Sequence, residues 1–379
     1  MPIVRLPETM KGTIMMKEFD LKQQGKIERL TNNTFKFDSR IKSGWYSAVY
    51  FLKTAKIVEK YAPNDVVTMQ FFQRHDGILC GVDEAIALIH TFADNPSKLH
   101  IQALHDGDPI APLEPVLKIT GHYQDFGYLE SLIDGILARR TSVATNVYQA
   151  VKAAAPATVI FMGDRDDHYS NQQGDGYAAF MGGSAAQATH AMNEWWGMKG
   201  VGTMPHALIQ IMNGDLVAAC EAYLHEFPQD NLIALVDFHN DVIPESLTVA
   251  RHFKEKLYGV RVDTSQSMKD HYFDHFDYQS AGIDPYGVNP TLIKALRQAL
   301  DKEGFDYVKI IVSSGFTLKR IEAFQAEKTP VDFYGIGSSL LKVNISFTGD
   351  LVNRNGIPFA KEGRHEMNST RLHEVPFLG

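Results

Sequence analysis

Six short apolar stretches in the second half of the chain are each followed by polar or glycine residues. If these stretches are neighbouring strands of a parallel sheet, their carboxyl ends meet at one edge, where barrel enzymes place their active sites. The pattern therefore predicts a single site built from six strand ends. Its candidate residues are, in chain order, Asp164, Arg165, Asp166 and His168; Thr203 and His206; Asp237, His239 and Asp241; Arg261, Asp263, Thr264 and Ser265; residues 313–315; and residues 335–339.

Two of these strand ends carry serine and glycine in an arrangement typical of phosphate binding. Ser313-Ser314-Gly315 lies between an apolar strand and a helix expected from Thr317, and Gly335-Ile336-Gly337-Ser338-Ser339 repeats the arrangement one strand later. Glycine lets backbone N–H groups approach an oxyanion, and helix N-termini favour negative charge. Glycine-rich turns also occur without any ligand, but a pair on the last two strands of a barrel favours a phosphate site.

Charged residues mark the two strand ends before these loops. Arg261 and Asp263 are two residues apart on one strand, so their side chains share a face. A local ion pair is one interpretation. In the other, Arg261 binds a polyphosphate, Asp263 contacts ribose hydroxyls or a metal-bound water, and Asp237 supplies a second carboxylate to Mg²⁺, which prefers one or two carboxylates plus substrate phosphates. His239 and Asp241 are expected to be loop or helix-capping residues.

His206 is the histidine whose position favours chemistry. It follows Pro205 at the start of a predicted helix, where the helix dipole lowers the basicity of imidazole and favours its neutral, nucleophilic form. A lone histidine is usually structural, but its place at a strand end favours a catalytic role. Thr203, at the end of the same strand, is assigned to the substrate-binding residues.

Composition excludes several classes of protein. The chain has 379 residues, 44% of them hydrophobic and 22% charged, which is ordinary globular usage and suits two to three domains. Its net charge of −8 argues against nucleic-acid binding, although it allows a small anionic substrate. Cys80 and Cys220 predict buried free thiols in a reducing cytoplasm and exclude a four-cysteine zinc site. No signal peptide and no membrane-spanning stretch is recognised, so a cytoplasmic protein is expected.

The spacing of apolar residues predicts the elements that position the site. Short strands alternating with amphipathic helices are typical of a parallel sheet buried on both faces. Five crossovers without an early glycine-rich turn favour a closed or nearly closed barrel over a dinucleotide-binding sheet. The predicted strands are 158–161, 200–203, 232–237, 259–263, 308–313 and 331–336, and the predicted helices are 185–196, 216–225, 244–257, 290–302 and 318–326.

The regions before and after this alternation have a different character. The first 120 residues are predicted to be mixed α+β, and after residue 341 strands and loops return to that N-terminal domain. The predicted domains are therefore 1–120, completed by 341–379, and a catalytic barrel over 121–340. In the N-terminal region strands are expected at 66–72, 99–104 and 116–121, and helices at 44–61, 83–92, 126–137 and 141–154.

Nine segments together resemble the nicotinate phosphoribosyltransferase family, of the shorter kind found in archaea and some bacteria. They occur in the family's order and spacing, and the GTMPHALI and YGIGSSLL runs are the most specific. The resemblance spans nearly the whole chain. The segments are FKFDSRIKSGWYSAVYFLKT, LESLIDGILARRTSVAT, FMGDRDDH, GGSAAQ, GTMPHALI, LVDFHNDV, GVRVDTS, IIVSSGF and FYGIGSSL.

The resemblance implies a fold and a reaction. The fold is the irregular α/β barrel of type II phosphoribosyltransferases plus an open-faced α+β sandwich domain built from the N-terminus and the C-terminal tail. The reaction converts nicotinate and phosphoribosyl pyrophosphate to nicotinate mononucleotide and pyrophosphate, with coupled ATP hydrolysis and Mg²⁺. Small molecules are then the substrates, and a homodimer or higher homo-oligomer is expected.

The resemblance also implies roles for individual residues. His206 matches the histidine that ATP phosphorylates. The other matches are Arg261, Asp263 and Asp237 around the pyrophosphate, ribose and Mg²⁺; Ser314, Gly315, Gly337 and Ser338 in the 5′-phosphate loops; Arg165 beside the pyridine ring; and Tyr46, the aromatic residue that reaches a neighbouring subunit's site.

The chain departs from the family at the first barrel strand. The family commonly ends this strand in Phe-Gly-x-Arg-Arg, whereas here it reads Met162-Gly163-Asp164-Arg165-Asp166. The ring-stacking aromatic and the second arginine are both absent. Asp166 would repel a substrate carboxylate unless its side chain turns outward.

Ser184 in the GGSAAQ segment bears on the choice of substrate. Nicotinamide-specific relatives carry an acidic residue there, whereas a serine hydroxyl can donate to a carboxylate, so Ser184 favours nicotinate. Quinolinate, with two carboxylates, would need a richer cluster of basic residues. The alternatives are a nicotinamide or quinolinate phosphoribosyltransferase, or a non-catalytic relative that binds phosphoribosyl ligands. Retention of His206, Arg261 and Asp263 argues against the last.

Overall fold

The structure of the protein is a computed structural model that describes residues 29–377. Contacts group these residues into two units. The barrel unit comprises residues 149–172 and 184–341, and the sandwich unit comprises the described residues up to 148, residues 173–183 and the tail from 342. No helix among the described residues has both the length and the apolar character needed to span a membrane.

The helices and strands alternate through most of the described chain. The α-helices are α1 Val49–Tyr61, α2 Val82–Phe92, α3 Tyr123–Phe126, α4 Glu130–Ala154, α5 Gln172–Met181, α6 His206–Ile211, α7 Leu216–Glu226, α8 Val242–Phe253, α9 Pro290–Lys302 and α10 Leu318–Ala326. The strands are β1 Val66–Phe72, β2 Gly77–Ile78, β3 His100–Ala103, β4 Pro109–Ile110, β5 Leu117–His122, β6 Thr158–Phe161, β7 Ala186–Gln187, β8 Leu232–Leu235, β9 Leu257–Val262, β10 Lys309–Val312, β11 Phe333–Ile336, β12 Thr348–Arg354, β13 Ile357–Pro358 and β14 His373–Val375.

The sheet of the barrel unit is parallel throughout, with the strand order β7-β6-β11-β10-β9-β8. The first long strand, β6, pairs with the last, β11, which places Ile160 opposite Gly335. The order is therefore that of a barrel opened between β7 and β8. This confirms the predicted irregular α/β barrel.

Local sequence signals account for the helices that follow the late strands. Asn289 and Thr317 accept hydrogen bonds from backbone N–H groups in the first turns of α9 and α10, and Pro290 occupies the first position of α9. The bounds predicted for these two helices, 290–302 and 318–326, are confirmed. Strands β8 to β10 are apolar and largely buried, as a sheet covered on both faces requires.

Two predictions near the opening of the barrel are wrong. The segment 185–196 is not an α-helix but the short strand β7 followed by a 3₁₀ turn at Ala191–Trp196. The segment 200–203 forms no strand, although the Val201 N–H donates to the Gln187 carbonyl at 3.0 Å. At Gly200 the chain passes so close to the backbone at Thr189 and His190 that a Cβ would not fit. This approach replaces a regular strand pairing, and the periodicity of the sequence does not reveal it.

The sheet of the sandwich unit is antiparallel, with the order β13-β12-β1-β5-β3-β14. Strands β12 to β14 come from the C-terminal tail. Helix α4 packs in the same core, because its Ile133 and Leu137, and Leu129 just before it, are buried with Phe71 and Leu117. For that reason residues 121–148 group with the sandwich unit, whereas the sequence assigned them to the barrel domain.

An ion-pair network within the sandwich unit explains a helix that the sequence did not reveal. Arg140 donates to Glu84 at 2.9 Å and to Asp175 at 3.1 Å. Asp175 lies on α5, whose two glycines weaken any helical signal. Gly174 makes room for the Arg140 guanidinium, since a Cβ there would overlap it. Cys80 and Cys220 are both buried and neither forms a disulfide with a described residue, so the prediction of buried thiols is confirmed.

Candidate active site

Most candidate site residues of the barrel unit lie at or just beyond the carboxyl ends of its strands, as the sequence predicted. Thr203 and His206 instead follow a segment that forms no strand, and Ser184 precedes β7. Asp237 follows β8, Asp263 follows β9, and the two serine–glycine loops follow β10 and β11. Tyr46 belongs to the sandwich unit, where its hydroxyl donates to Asp38 at 2.6 Å and accepts from Arg40 at 2.7 Å. Its role toward another subunit stays a prediction.

His206 and Asp237 form the central polar pair. His206 is the first residue of α6, and its Nε2 lies 3.0 Å from Asp237 Oδ1. The imidazole side chain is 42% exposed, whereas the carboxylate is 4% exposed and also accepts from the Thr264 hydroxyl at 3.4 Å. An ionised carboxylate can only accept, so opposite an ionised Asp237 the proton of this pair is on Nε2. When the imidazole is neutral, Nδ1 is then the nitrogen with a free lone pair.

Burial and neighbouring charges shift the pKa values of two residues in and beside this pair, Asp237 and Arg261. Burial raises the pKa of Asp237, the nearby Asp263 carboxylate raises it further, and His206 opposes both. Burial lowers the pKa of Arg261, and repulsion by Arg165 acts in the same direction, while Asp263 and Asp237 act against it. The structure therefore brings two arginines and two carboxylates into one neighbourhood, as the strand pattern predicts.

Arg261 also holds the segment that leads into His206. Its guanidinium donates to the Thr203 hydroxyl at 3.0 Å and to the Met204 carbonyl at 3.2 Å. Its Nε is buried and has no hydrogen-bond partner in residues 29–377. A direct Arg261–Asp263 ion pair, the first interpretation of their spacing, is absent from this part of the chain, and the second interpretation stays a prediction.

Asp263 is oriented by a neighbouring strand. The Ser313 hydroxyl donates to Asp263 Oδ1 at 2.6 Å.

The described residues contain no cluster of three or more acidic, histidine or cysteine side chains that could hold a metal ion by itself. Both oxygens of Asp237 are engaged by His206 and Thr264, whereas the contacts of Asp263 involve Oδ1. An ion that uses one protein carboxylate and substrate phosphates fits Asp263 better than Asp237.

The loop after β10 has an unusual backbone. Ser314 and Gly315 both have positive φ, 77° and 63°, and such a conformation costs a non-glycine residue about 1–2 kcal/mol. The Ser339 hydroxyl of the next loop donates to the Phe316 carbonyl at 2.8 Å, which joins the two loops. The second loop is followed only by the 3₁₀ turn Ser338–Leu340, so the helix that the sequence implied there is absent.

Gly335 in β11 and Gly337 just after it allow close approach from the segment that follows β6. A Cβ on Gly335 would lie 2.7 Å from Met162 Sδ, and one on Gly337 would lie 2.7 Å from the Met162 carbonyl oxygen. A Cβ on Gly337 would also overlap Asp166 Oδ2. Met162 therefore fills the space over this strand, and the Asp166 carboxylate turns toward the second predicted phosphate loop.

Ser184 is fully buried and its hydroxyl accepts from Gln187 at 2.7 Å. Because a hydroxyl both accepts and donates, its proton remains available. Its contact with a substrate stays a prediction.

The sequence did not single out one further pair at this rim. His239 Nδ1 lies 2.5 Å from Glu245 Oε1, burial raises the pKa of Glu245, and Glu245 Oε2 has no partner among the described residues. Asp241 stands at the N-cap position of α8 but makes no capping hydrogen bond, since Asp270 accepts from the Val242 N–H instead. Of the two roles predicted for Asp241, loop or helix-capping residue, the structure supports the loop position. Only the six-residue spacing of His239 and Glu245 could have suggested their pairing.

Comparison with known proteins shows what the chain resembles. The model of the quinolinate phosphoribosyl transferase N-terminal domain matches residues 48–141. A nicotinate phosphoribosyltransferase of Mycobacterium tuberculosis is 26% identical over 242 residues, 64% of this chain and 48% of the relative. That of Bacillus subtilis is 22% identical over 246 residues, 63% of this chain and 45% of the relative. The chain spans about half the length of these curated relatives.

Solved structures extend the comparison to most of the chain. A nicotinate-nucleotide pyrophosphorylase from Pyrococcus furiosus is 30% identical, with a TM-score of 0.75 over 90% of this chain and 85% of that one. Human nicotinic acid phosphoribosyltransferase is 17% identical, with a TM-score of 0.63 over 83% of this chain and 75% of that one, and supports the fold alone.

Proposed function

We propose a function from the premise that this chain belongs to the nicotinate phosphoribosyltransferase family. The proposed reaction joins nicotinate to phosphoribosyl pyrophosphate and releases nicotinate mononucleotide and pyrophosphate, a step of NAD synthesis. The observation that carries the proposal is the His206–Asp237 pair, set beside Arg261 and Asp263 at the carboxyl ends of adjacent strands. An arginine suits the binding of phosphate groups, and carboxylates suit a Mg²⁺ ion that accompanies them.

The transfer step needs positioning and charge stabilisation more than it needs proton chemistry. The pyridine nitrogen attacks C1 of the ribose as the C1–O bond to pyrophosphate breaks, through an oxocarbenium-like state, and the bonding electrons leave with pyrophosphate. Arg261 stabilises that charge, Asp263 contacts the ribose, and the loops that contain Ser314, Gly315, Gly337 and Ser338 hold the 5′-phosphate.

We place ATP coupling at His206. With its Nε2–H held by Asp237, the free lone pair on Nδ1 attacks the γ-phosphorus of ATP, and the bond to the β–γ bridging oxygen breaks to release ADP. Water later attacks the phosphorus and the P–N bond breaks, which releases inorganic phosphate and restores the histidine. Asp237 stabilises the positive imidazole ring throughout.

The donor set also fits a magnesium ion. Asp263 would hold it with Asp237 close by, and its positive charge would relieve the repulsion between the two carboxylates. When bound, Mg²⁺ would neutralise charge on the pyrophosphate. Arg261 and Arg165 supply the protein's own positive charge on the same side.

Nicotinate is the proposed pyridine substrate, with Arg165 beside the ring and Ser184 donating to the carboxylate. Thr203 is assigned to substrate binding through the hydrogen bond that it accepts from Arg261. A homodimer in which Tyr46 reaches the partner's site is part of the same proposal, and sedimentation would test it.

Competition among three pyridines tests the proposal. The protein is mixed with phosphoribosyl pyrophosphate, Mg²⁺ and equal amounts of nicotinate, nicotinamide and quinolinate, with and without ATP, and the products are separated. We expect nicotinate mononucleotide as the main product and faster formation with ATP. Preference for nicotinamide or quinolinate would replace the substrate assignment, and binding without any turnover would identify a non-catalytic relative.

A further inference from the structure

Arg320 lies against the loop that follows β10. One of its guanidinium nitrogens, Nη1, donates to the carbonyls of Ser314 at 2.7 Å and Gly315 at 3.1 Å. The other, Nη2, donates to the Val288 carbonyl at 2.8 Å, and the group stacks on the Phe316 ring at 4.3 Å. Within residues 29–377 these carbonyls and this ring are its side-chain partners, so no carboxylate neutralises it.

The carbonyl contacts determine where the adjacent amides point. In a trans peptide the C=O and N–H are antiparallel, and among the described residues the one cis bond is Ala155–Pro156. Because the Ser314 and Gly315 carbonyls both face Nη1, the N–H groups of Gly315 and Phe316 face the opposite side. Neither N–H donates to a backbone carbonyl in the described chain. Successive backbone N–H groups that point to one side and lack a carbonyl partner can bind an anion.

The same contacts hold a backbone that is unfavourable on its own. Ser314 has a left-handed conformation at φ 77°, which a residue with a Cβ adopts only where its surroundings impose it. Hydrogen bonds from a charged donor are stronger than neutral ones, and the planar guanidinium reaches three carbonyls at once. The Arg320 charge lies on the carbonyl side of these peptides. It polarises them, which favours an anion on their N–H side.

We propose that Arg320 is a positioning residue that sets the Ser314–Gly315 turn to receive the 5′-phosphate of the substrate. Arg320 does not touch the phosphate itself. It acts through the two peptides that it holds, and its charge raises the potential at their free N–H groups. The inference rests on the proposed function only in taking the bound group to be the phosphate of a phosphoribosyl compound.

Binding of ribose 5-phosphate, measured by calorimetry, tests the inference without any turnover. Arg320→Ala is expected to weaken this binding about tenfold or more, the effect of losing charge-assisted hydrogen bonds. In turnover assays the KM for phosphoribosyl pyrophosphate should rise while kcat changes little, since the phosphate is held equally in the ground and transition states. Free guanidinium at millimolar concentration should partly restore binding in this variant.

Arg297 provides a matched control at the opposite end of the same strand. It donates to the carbonyls of Val308 and Phe305, just before β10, at 2.7 Å each. Arg297→Ala should lower thermal stability as Arg320→Ala does but leave ribose 5-phosphate binding unchanged. If both variants weaken binding equally, Arg320 is merely structural and the inference is overturned.

The remaining outcomes also decide the question. Where Arg320→Ala does not fold, Arg320→Lys keeps the charge but lacks the planar fork, and weaker binding than in the parent is expected. Parent-like binding in either variant, or no binding of ribose 5-phosphate by the parent, overturns the inference. If the parent binds ribose 5-phosphate and Arg320→Ala does not, the inference stands even if the protein forms no nicotinate mononucleotide.

Discussion

Replacement of Asp237 by asparagine isolates the charge that holds His206. The substitution keeps the size of the side chain and leaves an oxygen that can still accept from Nε2, but it removes the negative charge 3.0 Å away. A hydrogen bond to a charged group contributes about 1.5–3 kcal/mol, which corresponds to a roughly 10- to 150-fold change in rate. The loss should appear in phosphorylation of His206, because the positive imidazole then lacks its counter-charge.

The stability of Asp237→Asn should not fall together with its phosphorylation rate. Burial raises the pKa of Asp237, so its charged form is costly in the folded protein, and the neutral amide removes that cost. Asp237→Asn is therefore expected to fold with a Tm equal to or above that of the parent. If Asp237→Asn is phosphorylated slowly but has an unchanged or higher Tm, the slow rate is a chemical effect and not a result of unfolding.

Transfer of radiolabelled phosphate from ATP to the protein, measured under alkaline conditions that preserve phosphohistidine, gives the rate. Glu221→Gln is the matched control, since Glu221 also accepts from an imidazole Nε2, that of His252, at 2.8 Å but on the exposed surface. Its labelling rate should equal the parent's. Parent-like labelling of Asp237→Asn, or no labelling of the parent at His206, would refute this account of the pair.

Three further substitutions test other parts of the structure. Ser314→Gly should raise the Tm by about 2–4 °C, because it removes roughly 1 kcal/mol of left-handed strain at φ 77°, and a lower Tm in scanning calorimetry would contradict the strain. Asp166→Asn should lower the KM for phosphoribosyl pyrophosphate a few-fold, since its carboxylate faces Gly337; a higher KM in initial-rate assays would show that Asp166 helps binding. Burial, followed by the Asp134 and Asp350 carboxylates, raises the pKa of Glu130 from 4.5 to about 8, so the folded state keeps a proton that the unfolded chain releases, and stability falls as pH rises through that interval. Glu130→Gln should therefore be more stable than the parent at pH 8 and similar to it near pH 4.5, and an equal Tm difference at both pH values would contradict the shift.

The fold was predictable where local signals coincide with burial. Asn289-Pro290 and Thr317 begin their helices with ordinary capping chemistry, and the apolar strands between helices fixed the barrel class. The opening of the barrel was not predictable, because the path near Gly200 depends on contact with the backbone at Thr189, which leaves no periodic signal.

The candidate site, like the fold, was predictable only in part. Residue types at strand ends were enough to select His206, Asp237, Arg261 and Asp263. Their partners were not predictable, because they come from other strands and loops. Ser313 orients Asp263 across 50 residues, and the Arg261 guanidinium holds Thr203 across 58. Such pairings become visible only once the sheet order is known.

Parallel measurement of both products in one reaction tests the central claim most directly. The purified chain is incubated with nicotinate, phosphoribosyl pyrophosphate, Mg²⁺ and ATP, and phosphorus NMR follows nicotinate mononucleotide and pyrophosphate, with Arg261→Ala as the impaired comparison. We expect both products in equal amounts from the parent and a large loss in the variant. Consumption of phosphoribosyl pyrophosphate without nicotinate mononucleotide, or undiminished product from Arg261→Ala, would contradict the claim that this strand-end site transfers the phosphoribosyl group to nicotinate.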